Sequence, residues 1–326
     1  MSGEGRKIIM MLGDGMGGRD VPSLGGKTCL EAANTPALDT LARLGASAIM
    51  YVSSPGRPIG SDTAHMALLG YDPTTQYRGR GPFEAMGVGL RPQPGDVAFR
   101  CNFATVDEKG NIIDRRAGRI KEGTDKLAAA IMEATKDGID GVQVLFKASV
   151  EHRAALVLRG EDLDYHVTDV DPHAEHVPPA EARPTDDCPP EVREKAERTA
   201  RVLNKFVKIA HEVLEGQEVN KRRRDQGLPA ANAVLPRGAG EAVDLEPFSK
   251  IHDGLKGVMI VEVDLVRGLG MYASMEVPEV EGATGGRDTD ELAIARAVTR
   301  AWAEADFILC NFKAPDLVGH DHDAAL

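Results

Sequence analysis

The chain has 326 residues, 42% of them apolar, with 51 acidic against 39 basic side chains and a formal net charge of −12. That length allows two domains with sizeable cores, and the acidic balance excludes a protein whose main surface is a basic nucleic-acid face. No run of about 18 apolar residues offers a membrane span, residues 1–7 are short and polar rather than a leader peptide, and Cys29, Cys101, Cys188 and Cys310 are scattered without a Cys-x-x-Cys pair, as expected of free thiols in a cytoplasmic protein.

Residues 7–12, Lys-Ile-Ile-Met-Met-Leu, are a short apolar run closed by glycines, the pattern of a buried parallel strand. Gly13-Asp14-Gly15-Met16-Gly17-Gly18 follows. Residues 35–45 read as a helix with Pro36 in its first turn and Gly45 at its end, and 46–52 as a second apolar strand. In 58–70 a turn with Pro58 and Gly60 precedes Ser61 and Asp62. Ala64, Ala67 and Leu68 then recur at helical spacing, with Gly70 as a C-cap. Ser61 therefore stands at or just before a helix N-terminus, where free N–H groups and the dipole favour an anion. Taken alone, the stretch is read more plainly as a core helix capped by Ser61 or Asp62.

After Asp72 and Pro73 the texture changes. Residues 78–96 are rich in Gly, Arg and Pro, 97–103 alternate like a strand, Gly110-Asn111 marks a turn, and 114–119, Asp-Arg-Arg-Ala-Gly-Arg, form a basic cluster. Predicted strands at 142–146 and 154–158 flank Glu151-His152-Arg153. A polar, proline-rich loop covers 169–190, and a charged helix runs over 191–214 with Val202, Phe206, Ile209 and Val213 on one face. Alternating strand and helix return with a strand at 256–263, a helix at 288–302 and a strand at 305–312. The predicted fold class is α/β: a doubly wound core built from both chain ends, 1–75 and 255–326, with an inserted α+β module at 76–254.

Gly13 to Gly18 formally satisfies the dinucleotide pattern G-x-G-x-x-G, which would make an NAD-dependent dehydrogenase. Asp14 opposes that, because its carboxylate would face a pyrophosphate, and Asp39 falls within a helical pattern rather than at a strand end. A carboxylate at the carboxyl end of a parallel strand can instead hold a divalent metal, or simply be exposed on an ordinary turn. Asp316 and His320 are spaced i, i+4, which on a helix turns both the same way, and the pair suits Mn2+ or Zn2+. Asp321, His322 and Asp323 read as a solvated acidic tail. Open α/β sheets bind ligands at the carboxyl ends of their strands, where Asp14, Ser61, Asp316 and His320 would converge. A hydroxyl needs a base or a metal to become a nucleophile, and two metals about 4 Å apart can neutralise an in-line phosphoryl transfer.

These residues resemble the motifs of the alkaline-phosphatase superfamily, and more narrowly those of archaeal-type cofactor-independent (2,3-bisphosphoglycerate-independent) phosphoglycerate mutases. The resemblance lies in Gly13-Asp14-Gly15, Gly60-Ser61-Asp62-Thr63-Ala64-His65-Met66 and Pro315-Asp316-x-x-Gly319-His320. It extends through 77–87, the 114–119 cluster and Arg237-Gly238-Ala239-Gly240. It implies an alkaline-phosphatase-like core with an inserted cap, and an isomerase interconverting 3-phosphoglycerate and 2-phosphoglycerate in glycolysis and gluconeogenesis without added 2,3-bisphosphoglycerate. Ser61 would take the phosphoryl group and return it to the other hydroxyl. By the same resemblance, Asp14 and Ser61 would contact one divalent metal and Asp316 and His320 another, manganese first, with magnesium, zinc or cobalt as alternatives.

The implied cap must bind a carboxylate and a phosphate, which arginine forks match. Arg115, Arg119, Arg153 and Arg237 are the candidates, with Arg80 behind them, and each could equally be a surface arginine. His152 could move a proton between glycerate hydroxyls or be a satisfied structural histidine. The expected partner is the small-molecule substrate, with no nucleic acid and no membrane, and the oligomeric state stays open. Members of the family continue past the position of Leu326 with another strand and further ligands, an Asp-His pair and a later His. That implies a core missing its C-terminal part, weak metal binding and slow turnover. The nearest alternative is a metal-dependent phosphatase of the same superfamily, in which water accepts the phosphoryl group. A non-catalytic binding protein is another.

Overall fold

Apolar residues closed by a glycine make the first strand, β1 (Ile8–Gly13). The computed structural model describes residues 7–54 and 59–322. Residues 1–6, Pro58, Asp323 and Leu326, on which some expectations rest, lie outside them. The chain divides into two compact units, Met1–Pro73 with Glu246–Leu326, and Thr74–Leu245.

In the first unit a reciprocal Thr28–Glu31 capping box starts α1 (Cys29–Ala32). Next, α2 (Pro36–Leu44) has Pro36 at its start and Gly45 as its cap, as its sequence predicts. Then α3 (Ser61–Leu68) opens directly after Gly60, and Gly70, at φ 89°, turns the chain out of it. Two expectations fail here. β1 is parallel but not buried, with Met11 63% exposed, because among the described residues it pairs with β8 alone and lies at the sheet edge. Residues 46–52 form no strand, and Ile49 is 84% exposed. Apolar composition favours a strand only where a ladder receives it, and the described sheet offers this segment no partner. Nor does a helix follow Gly18 directly; the next helical residues are the 3-10 turn Pro22–Leu24. The G-x-G-x-x-G pattern thus lacks the helix N-terminus that a dinucleotide needs.

After α4 (Pro73–Gln76) the second unit builds a five-stranded antiparallel sheet. Its chain order is α5 (Gly81–Gly87), β2 (Val97–Val106), β3 (Ile112–Asp114), α6 (Thr124–Ala134), β4 (Gln143–Ala148), β5 (Arg153–Arg159), α7 (Arg193–Glu215), α8 (Glu218–Asp225) and β6 (Ala233–Glu241). β2 is central, flanked by β5 and β6. Its side chains alternate between faces. Phe99, Cys101 and Phe103 join Leu156, Leu158, Leu127, Ile131, Leu203 and Phe206 in the main core, whereas Ala98 packs with Ala85, Ala155 and Val157 beneath α5. Small residues let α5 lie close, and a Cβ on Gly81 would stand 1.9 Å from the Ala98 carbonyl oxygen. On α7 the fully buried stripe is Val202, Phe206, Ala210 and Leu214, so the expected face is rotated by one residue from Ile209 and Val213.

The chain then returns to the first unit through α9 (Phe248–Ile251), β7 (Gly257–Ile260), α10 (Asp264–Tyr272), α11 (Glu291–Ala301), β8 (Phe307–Phe312) and α12 (Ala314–His320). β8 lies between β1 and β7, parallel to both, with Met11 and Ile260 each opposite Cys310 and Gly13 opposite Phe312. α11 covers Val258, Ile260, Ile308 and Cys310. Among the described residues no helix is long and apolar enough to cross a membrane.

Phe206, fully buried and 5.6 Å from the Phe146 ring, anchors α7 to the sheet. Phe206→Ala is expected to cost about 3–5 kcal/mol of unfolding free energy, read from urea midpoints.

Candidate active site

In the first unit the geometry converges on the end of β8. The Asp14 amide donates to the Phe312 carbonyl at 3.0 Å, which sets the β1 turn against the last residue of β8. Gly15 completes that turn at φ 73°, and a Cβ on it would lie 2.5 Å from the Asp316 Cα. Asp14 is thereby pressed toward the first turn of α12. Lys313 stands between them, its Nζ 2.8 Å from Asp14 Oδ2 and 2.8 Å from Asp316 Oδ2. Burial pulls this ammonium down, but its bonds to the two carboxylates outweigh that and raise its pKa. The Lys313 amide donates to Glu262 Oε2 at 2.8 Å, and the other Glu262 oxygen accepts from the Gly285 amide and the Thr289 hydroxyl. One turn along α12, His320 Nε2 is 3.7 Å from Asp316 Oδ1, with most of its side chain exposed.

Ser61 is the first residue of α3. His65, one turn further, directs Nδ1 to the Ser61 carbonyl at 2.6 Å, and Asn311 Nδ2 approaches His65 Nε2 at 3.0 Å. A carbonyl only accepts and an amide NH2 only donates, so the network assigns the proton to Nδ1 and leaves Nε2 bare. Burial pushes the His65 imidazole below its ordinary pKa, against the Ser61 bond and the Asp14 charge. The neutral ring thus ties the start of α3 to β8.

In the second unit the strand register does comparable work. Arg100 of β2 is opposite Arg237 of β6, and Asn102 of β2 is opposite Arg153 of β5. Opposed residues share a face, and like charges set opposite one another are unfavourable unless something neutralises them. Glu84 of α5 accepts from Arg80 Nε at 2.8 Å and lies 3.6 Å from Arg100. Arg115 binds the fully buried Asp171 through Nε and Nη2, at 2.8 and 2.6 Å, and Arg237 is 3.7 Å from the same carboxylate. Burial pushes Asp171 up, but Arg115, the His173 amide and the charge of Arg237 hold it below the ordinary range. Burial lowers Arg100 to about 10, with Glu84 opposing and Arg80, Arg237 and Arg153 adding to the effect. Among the described residues Arg100 Nε, Arg153 Nε, Asn102 Oδ1 and His152 Nδ1 are buried with no hydrogen-bond partner. The two guanidinium donors among these, left without acceptors beside surplus positive charge, form a receptor for an anion.

His152 is buried next to this cluster. Burial, then the charges of Arg153, Arg116, Arg100 and Arg119, push its pKa to about 3. Arg119 itself is exposed and reaches His152 only through its charge.

Of the expected metal ligands, Asp14 and Asp316 meet on one ammonium, Asp316 and His320 share a helix face, and Ser61 is linked to β8 through His65 and Asn311. Among the described residues no three His, Cys, Asp or Glu side chains gather as a ready metal cluster. The donor set still fits a divalent cation, since carboxylate oxygens suit manganese or magnesium and imidazole suits zinc. Moreover, a cation, the Lys313 ammonium, already lies between two of them. Lys313, Glu262, Asn311, Arg100, Glu84 and Asp171 were not singled out from the sequence. Lys313 and Asp316, three apart at a helix start, and a lone Arg100 within an apolar strand were the available signals.

A sequence model of the family described as 2,3-bisphosphoglycerate-independent phosphoglycerate mutase matches residues 42–220. A protein of that name from Methanopyrus kandleri is 48% identical, the match covering 99% of this chain and 76% of the relative. One from Methanothermobacter thermautotrophicus is 46% identical over 97% of this chain and 76% of its own length. Among solved structures, a Pyrococcus horikoshii protein superposes with a TM-score of 0.79 at 34% identity, covering 98% of this chain and 74% of that one. The cofactor-independent phosphoglycerate mutase of Thermoplasma acidophilum gives 0.62 at 37% identity, covering 98% and 81%.

Two outcomes follow from the site geometry. With His152 at about 3 when folded and near 6.5 when unfolded, the unfolded chain takes up the proton first as pH falls. This contribution to stability is complete above 6.5 and is lost toward 3, so His152→Gln should flatten the acid limb of urea midpoint against pH. His65→Leu removes both bonds of the ring and should cost about 1–3 kcal/mol, measured the same way.

Proposed function

Since this chain belongs to the family of 2,3-bisphosphoglycerate-independent phosphoglycerate mutases, we propose that it interconverts 3-phosphoglycerate and 2-phosphoglycerate without added bisphosphoglycerate, through a phosphoserine at Ser61. The observation that carries the serine assignment is its position. Ser61 opens α3, where the helix dipole favours a phosphoryl anion, and its carbonyl is fixed by a histidine bonded to the end of β8. In this reading Met1–Pro73 with Glu246–Leu326 is an alkaline-phosphatase-like core, and Thr74–Leu245 is the substrate-binding cap.

Asp14 with Ser61, and Asp316 with His320, would hold two divalent ions, manganese first. When bound, these would supply the charge that lowers the pKa of the serine hydroxyl and neutralises phosphoryl oxygens. Arg100, Arg153 and Arg237 supply the face for the carboxylate and phosphate of the substrate. Arg115 is held by Asp171, and Arg80 by Glu84, so their guanidinium planes are oriented before any ligand arrives. Arg119 adds positive charge from the surface. His152 is neutral at working pH and has an unpaired ring nitrogen, which suits it to accept a proton from a glycerate hydroxyl. A bound anion would offset the arginine charges that lower its basicity.

The test is incubation with 3-phosphoglycerate and Mn2+, following 2-phosphoglycerate by coupled assay and Ser61 phosphorylation by mass spectrometry. Product without phosphate release, with Ser61 labelled, is the expected result. Ser61→Ala should lose turnover by about 10³-fold or more. Phosphate release without 2-phosphoglycerate would identify a hydrolase, and full activity in Ser61→Ala would overturn the assignment.

A further inference from the structure

Lys313, just past the end of β8, is paired with two of the candidate ligands at once. Its ammonium bridges Asp14 and Asp316 at 2.8 Å each, and its side chain is only 18% exposed. The carboxylates cannot relax apart by backbone movement at low cost. Gly15 lies so close to Asp316 that even a Cβ would collide with its Cα, and the Asp14 amide is bonded to β8. Two carboxylates fixed this close and partly out of water repel one another unless a cation lies between them.

The backbone of Lys313 is equally fixed, through its amide on Glu262, which is itself held by Gly285 and Thr289. Its four-carbon stem is not fixed in this way. A lysine is a compact point charge on a flexible stem and, unlike an arginine fork, can leave two carboxylates without dismantling a planar bidentate pair.

We propose that Lys313 is the built-in cation of the Asp14–Asp316 pair. It offsets the repulsion between the two carboxylates while no divalent ion is bound, and it must be displaced, or its repulsion overcome, before one binds there. Lys313 therefore sets the affinity of the site for metal, trading some of it for stability of the metal-free fold. The inference rests on the metal reading given above for Asp14 and Asp316.

The experiment compares the metal-stripped chain with Lys313→Met, which keeps the length of the stem and removes the charge. Mn2+ alone is titrated at low ionic strength by calorimetry, and thermal midpoints are recorded with and without it. Lys313→Met should bind Mn2+ about tenfold more tightly or better. Its metal-free thermal midpoint should fall, and Mn2+ should restore it more than it raises that of the parent. Should Lys313→Met fail to fold, Lys313→Gln, neutral but able to donate hydrogen bonds, is read in the same way. Equal or weaker Mn2+ binding by the variants, with a parent that does bind, overturns the proposal and leaves the metal reading standing. No Mn2+ binding by parent or variants overturns both.

Discussion

A parallel strand in the middle of a sheet delivers its last residues to one edge, and the C-terminal end of β8 does this for residues drawn from distant parts of the chain. Pairing with β1 brings the Asp14 turn to Phe312; pairing with β7 brings Glu262 to Lys313; and Asn311 reaches the histidine that orients the first turn of α3. None of these contacts is local in sequence. The register of three short strands is therefore the constraint on which the placement of Ser61, two carboxylates and an ammonium all depends. A slip of one residue would turn Asn311 to the opposite face.

The antiparallel unit shows a different strategy. Its main core is conventional, with aromatic and branched side chains alternating off β2 and β5 onto α6 and α7. The opposite face carries alanines beneath α5 and then arginines where α5 ends. Aligning guanidinium groups across strands is unfavourable in the absence of counter-charge, and Glu84 and Asp171 supply only part of it. The residual imbalance, together with the two buried guanidinium donors of Arg100 and Arg153 that lack acceptors, is local frustration of the kind that folded proteins retain where a ligand completes the structure.

Much of the architecture was legible from short-range pattern. Apolar runs marked β1, closed by a glycine, and β7 and β8, and proline and glycine bracketed α2 correctly, because backbone preferences act locally. Residues 46–52 show the limit: their composition suits a strand, but strand formation requires a partner that composition does not specify. The stripe on α7 was displaced for a related reason, since alanines at 196, 200 and 210 pack as well as larger residues where the sheet lies close. In the candidate site, Asp14, Ser61, Asp316 and His320 were visible because each sits in a short motif. Glu262 and the His65–Asn311 pair were not, because their contacts lie 23 to 246 residues apart, and the bridge made by Lys313 was not, because its bond to Asp14 spans 299. Arg100 offered one signal, a lone charge inside an apolar strand, but its partners Glu84 and Arg237 are distant in sequence.

β1 has a further consequence for how the chain behaves in solution. Among the described residues its only strand partner is β8, so its other side presents amides and carbonyls free to pair, alongside the outward-facing Ile8, Ile9 and Met11. Edges of this kind are usually shielded by charge, proline or a bulge, and Ile8–Gly13 has none of these. Concentrated or warmed samples would be expected to thicken first by strand addition at this margin, long before the antiparallel unit loses its packing.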